Sequence, residues 1–139
     1  MGGRRVARGD DGSAVVEFVL VLTVLMPLFL GILQLALVLH VRNTAAAAAG
    51  EGARRAAVQG ASPQDGIART HDQLRGAVSL RFVTDTRVES VELQGMPAYR
   101  VVVDLEVPAL GLGGPGVALS VSGSAVAEPA LTAGAGDPP

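Results

Sequence analysis

Apolar positions are continuous from Val19 to Leu39, where VLVLTVLMPLFLGILQLALVL carries no charge and is interrupted only by Thr23, Pro27, Gly31 and Gln34. Wound as a helix, this run covers about 30 Å, the thickness of a bilayer's hydrocarbon core. A cleaved secretory leader has a shorter apolar region, and a buried helix of a soluble domain is shorter and more amphipathic. The pattern therefore predicts one membrane span over residues 19–39. The alanine-rich VRNTAAAAAGEGARRAAV follows. Alanine's helix propensity predicts that the same helix continues to about Gln59, weakened at Gly50 and Gly52.

Beyond GASPQDG the period changes. Ser62 as N-cap, Pro63 at the first helical position and Asp65 three residues after the serine form a capping-box pattern. Ile67, His71, Leu74 and Val78 then recur at helical spacing, which predicts a short second helix. The remainder alternates with period two. Leu80 to Thr84 reads as a strand, and Arg87 to Leu93 as a weaker one ended by Gly95 and Pro97. In the clearest strand, Tyr99, Val101, Val103, Leu105 and Val107 share one face and Arg100, Asp104 and Glu106 the other. GLGGPG marks a turn, and Val117, Leu119 and Val121 alternate with Ala118, Ser120 and Ser122. The fold class is α+β: a long N-terminal transmembrane helix packed on a small domain of one short helix and about four antiparallel strands. Residues 60–128 are few for independent stability, so the long helix should complete their core.

Composition narrows the function classes. Hydrophobic residues make up 49% of the chain but aromatics only 3%, so its apolar content is aliphatic. Eleven basic residues, all Arg, against thirteen acidic ones leave a net charge of −2, which indicates no nucleic-acid surface. Cysteine is absent, excluding thiol catalysis and cysteine-based metal sites. With His40 and His71 the only histidines, a metal site would have to be mostly carboxylate, and no metal or cofactor is predicted. Asp104 and Glu106 read as the solvated face of a strand rather than a catalytic pair. GLGGPG lacks the Lys-Ser/Thr of a phosphate loop. Arg8-Gly9-Asp10 is a tripeptide common by chance. No nucleophile–base–orienter set is visible, so an enzyme is not expected.

The informative junction is Gly12-Ser13-Ala14-Val15-Val16-Glu17-Phe18. A carboxylate at the edge of a long apolar helix is either at headgroup depth facing water, or paired and functional. Gly12-Ser13 followed by Glu17-Phe18 resembles the prepilin-peptidase site of type IV pilin-like proteins, which are cut after the Gly and carry Glu fifth in the mature chain. The stretch from Gly12 to Arg54 resembles the TadE-like minor pilins, or pseudopilins, of tight-adherence (Tad/Flp) pilus systems, and the likeness covers roughly residues 9 to 58. The likeness includes Pro27, Gly31 and Glu51-Gly52-Ala53-Arg54. Gln34 and Ala36 depart from it, standing where family members often carry an acidic or aromatic residue and a small one.

The resemblance implies a pilin-like fold and a structural function in assembling a Tad-type pilus or secretion apparatus. It implies a leader over residues 1–12, a helix over 13–59 and an extracytoplasmic place for the α+β domain over 60–128, while the Ala, Gly and Pro of residues 129–139 predict a flexible tail. Its partners would be the cytoplasmic membrane, a prepilin peptidase, other pilin or pseudopilin subunits and Tad assembly proteins. Glu17 would pair with the ammonium that cleavage frees on Ser13, which until then caps the helix. Phe18 would pack between helices, and Pro27 would kink the span. The Arg count on the two sides of the span (Arg4, Arg5 and Arg8 before; Arg42, Arg54 and Arg55 after) is close to a draw. The resemblance places the N-terminus inside and the domain outside. Two other readings compete: a single-span anchored binding domain unrelated to pili, and a secreted protein cut by signal peptidase I near Ala45 to Ala49.

Overall fold

The computed structural model describes residues 10–110 and 114–128. Helix α1 (Asp10–Ala57) is 48 residues long, about 72 Å at the α-helical rise. Helix α2 (Pro63–Arg75), a 3-10 turn (Leu80–Phe82) and strands β1 (Val83–Leu93), β2 (Met96–Val107) and β3 (Val117–Val126) follow. The strands form one antiparallel sheet in the order β1-β2-β3, and the C-terminal half of α1 packs across β2 and β3 with α2 beside it. This is the α+β architecture expected, with its boundaries adjusted.

Three adjustments have local causes. The strand expected from Leu80 is a 3-10 turn, and β1, after a bulge between Val83 and Asp85, runs through Asp85 and Thr86 to Leu93, so the sheet has three strands rather than about four. Arg87 supports this continuity. Its guanidinium reaches Asp85 at 3.0 Å, Glu89 at 3.1 Å and Asp104 of β2 at 2.5 Å, so the polar stretch becomes the sheet's outer face. β2 begins at Met96, ahead of the expected Tyr99, because Gln94 (φ 52°) and Gly95 (φ 80°) close a two-residue hairpin. Positive φ at both turn residues matches the twist of the flanking strands. Lastly, α1 starts at Asp10, so Ser13 lies inside its first turns rather than at its N-cap.

The capping box of α2 forms as the sequence indicates. The Asp65 amide donates to Ser62 Oγ at 3.3 Å, and the Ser62 amide donates to Asp65 Oδ2 at 2.8 Å. The Ser62 amide and then its hydroxyl, which donates to Asp65 Oδ2 at 2.9 Å, hold the Asp65 carboxyl below its ordinary range.

The core lies between α1 and the sheet. Val41, Ala45, Ala48, Ala49 and Ala53 of α1 meet Leu74, Val78, Val101, Val103, Leu105, Val107 and Val121. The alanines thus form a buried stripe as well as a helix-favouring run. Their small size lets backbones meet. A Cβ on Gly123 of β3 would collide with the Gly50 and Ala49 backbone, and one on Gly52 would collide with Thr70 and the Gly66 carbonyl of α2. Thr70, fully buried, donates its hydroxyl to the Gly66 carbonyl at 2.9 Å. At the far end, the Glu128 amide donates to the Ala57 carbonyl at 3.0 Å, and the Ala127 amide to the Pro97 carbonyl at 2.9 Å. The chain leaving β3 therefore serves one of α1's terminal acceptors.

Candidate functional site

Gly12, Ser13, Glu17, Phe18 and Pro27 all lie on the half of α1 that projects from the domain. Every residue from Gly12 to Phe29 is exposed. Large apolar side chains point outward all round it, Phe18 at 64% and Val24 at 71% exposure. A continuous apolar surface of this extent has no place in water. One helix of the described residues is long and apolar enough to cross a membrane, and it fits a single-span anchor.

Helical geometry brings some of these residues together and separates others. Ser13 and Glu17 are four apart and share a face. Glu17 has no hydrogen bond or ion pair among the described residues, and Phe18 is one position further round. Pro27 lies ten residues on from Glu17, about 15 Å along the axis. The helix continues through Pro27 without a break in its assignment. Val19, Leu22, Met26, Pro27 and Leu30 line a shallow apolar groove there. Thr23 satisfies its own hydroxyl by donating to the Val19 carbonyl at 2.7 Å. No two titratable groups converge on this segment, so its possible chemistry is packing and charge pairing.

Gln34, the polar residue of the apolar run, has a partner that sequence reasoning missed. Its Oε1 accepts from the Leu110 amide at 2.7 Å, and its Nε2 donates to the Pro108 carbonyl at 3.3 Å. One side chain thus clasps both sides of the loop that leaves β2. The local signal was only an amide side chain among hydrocarbons, which needs a polar partner.

The other polar residues of interest are committed elsewhere. The Ser120 hydroxyl and then the Arg87 guanidinium hold the Asp104 carboxyl below its ordinary range. The three carboxylates around Arg87, Asp104 foremost, raise its pKa. Glu106 is exposed on the same outer face. His71 Nε2 lies 3.0 Å from Thr86 Oγ1, and His40 is exposed. Among the described residues no group of three or more His, Asp or Glu side chains could hold a metal. Arg8, Gly9, most of the expected leader, part of GLGGPG and the expected tail lie outside the described residues.

With this geometry in place, comparison with known families is informative about one segment. Residues 12–54 match the family model for TadE-like protein. The TadE-like segment starts at Gly12 and ends within the alanine-lined half of α1, covering the exposed part of the helix and most of the part that packs on the domain. The match takes in 43 of the 139 residues and none of the sheet. No curated protein and no solved structure matches the chain.

Proposed function

We propose that the protein is a TadE-like minor pilin, or pseudopilin. It takes part in assembling a Tad-type pilus or secretion apparatus after a prepilin peptidase cuts between Gly12 and Ser13. Its N-terminus is cytoplasmic, its domain extracytoplasmic, and its partners are other pilin or pseudopilin subunits and Tad assembly proteins. The observation that carries this reading is that the TadE-like match begins at Gly12 and takes in Glu17, which lies one turn beyond Ser13 on an exposed stretch of α1 and has no partner among the described residues.

The chemistry is done to this chain rather than by it. Hydrolysis of the Gly12–Ser13 bond leaves a carboxylate on Gly12 and an ammonium on Ser13. That bond lies within α1, so the peptidase must first unwind a turn, and glycine there makes unwinding easy. The new ammonium shares a helical face with Glu17. In the low dielectric of a filament core, Glu17 needs such a partner, on its own chain or a neighbour's. Pro27 supplies a point where the helix bends as it leaves lipid for the filament.

Intact mass of the native protein tests the proposal: the expected chain begins at Ser13. Gly12→Val should leave the precursor uncut. A Cβ at Gly12 meets nothing within 4 Å, so a retained leader reports on the peptidase and not on folding. A native chain beginning at Met1 would favour a plain anchored domain, and one beginning near Ala49 a secreted protein.

A further inference from the structure

The apolar run does not by itself say which of its residues sit in hydrocarbon. Two observations and one property of bilayers decide it. Leu37 and Val38 pack against the domain's core cluster, so they cannot also face lipid. Gln34 holds the Pro108–Leu110 loop through both its amide groups, placing irregular backbone at the level of residue 34. Irregular loops exposed to lipid do not occur within the hydrocarbon region, where their amides and carbonyls find no partner. The bilayer core must therefore end near Gln34. Counting back about 30 Å of helix reaches residue 14, the start of the apolar sequence.

We infer that the segment crossing hydrocarbon is residues 14–33 rather than 19–39, and that the Pro108–Leu110 loop rests on the lipid interface of the domain-side leaflet. The loop suits that place. Pro108, Ala109 and Leu110 are exposed and uncharged. With Pro27, Leu30 and Gly31, Ala109 and Leu110 form a groove of about 310 Å³ continuous with the lipid-facing side of α1. The occupant it fits is the headgroup-proximal stretch of a lipid acyl chain. Glu17 then lies about one turn inside the opposite boundary, where a carboxylate cannot rely on water.

The inference rests on α1 crossing a bilayer, and one experiment separates the two. The chain has no cysteine, so single cysteines can be placed in the full chain at Val15, Leu20, Val24, Phe29, Leu39 and Leu110. Each carries a nitroxide in phosphatidylcholine–phosphatidylglycerol vesicles. Depth is read from oxygen against a water-soluble nickel chelate present on both sides. The expected profile is deepest at Val24, with Leu39 open to nickel and Leu110 at interface depth. A profile deepest at Phe29 with Leu39 buried would keep the membrane span and overturn this inference. Nickel access at every site would overturn both. Gln34→Leu should release the loop, so that the Leu110 label loses depth while the deepest point stays near Val24. An unmoved Leu110 label would remove Gln34 from the account.

Discussion

Two glycines on either side of one contact behave oppositely at the residue scale. Gly123 has no room for a Cβ because the α1 backbone at Ala49 and Gly50 fills it, whereas a Cβ on Gly50 meets nothing within 4 Å. Gly123→Ala should lower stability by roughly 1–3 kcal/mol, the usual cost of overpacking. Gly50→Ala should raise it by up to about 1 kcal/mol through helix propensity. Thermal unfolding of the full chain in detergent checks both, and shifts of the same sign would contradict the packing described. Asp104 gives a second test. Its folded pKa is depressed by Ser120 and Arg87, so its contribution is present above the unfolded carboxyl pKa of about 4 and is lost as pH falls through the folded value. Urea midpoints should therefore drop on acidification below about pH 4, and less steeply in Asp104→Asn.

Among the elements, α2 was the most legible. Ser62, Pro63 and Asp65 carry their instruction locally, and Ser62→Ala should cost about 1 kcal/mol, read as a shift in the urea midpoint. The long helix and the alternation of β2 were equally readable, because Val101, Val103, Leu105 and Val107 are buried as their period requires. Leu80–Phe82 misled because a 3-10 turn and a strand both tolerate apolar residues two apart. There Val78 stays tied to α2 through its amide to the Leu74 carbonyl. Asp85 and Thr86 looked like a break, since nothing in their neighbourhood announces that Arg87 will bridge to Asp104 across the sheet. Gln34 could not be interpreted for the same reason: its partners lie more than seventy residues away. The candidate grouping of Gly12, Ser13, Glu17 and Phe18 rests on their order alone. Their exposure on a projecting half-helix followed only once the alanine half was seen to be buried.

On the scale of the whole molecule the chain is two halves on one helix, and the halves can be perturbed separately. Glu17→Val should leave thermal stability unchanged, since Glu17 contacts nothing in the domain, and should leave membrane insertion intact or improved, since a charge is removed from the span. Crosslinking to the proposed pilin partners should be lost, and retention of wild-type crosslinks would reduce Glu17 to an interfacial residue. The closure at the other end matters as well. Glu128 is bonded to Ala57, and Ala127 to Pro97, so whatever follows residue 128 sets out from beside the Gln94–Gly95 hairpin. Some 35 Å of helix separate that point from Gln34. A reporter or affinity handle joined after Glu128 would start from the pole opposite the Gln34 clasp. It would begin clear of both the proposed scissile bond and the face of α1 that the proposed filament needs, leaving a convenient grip on the molecule during the assembly proposed for it.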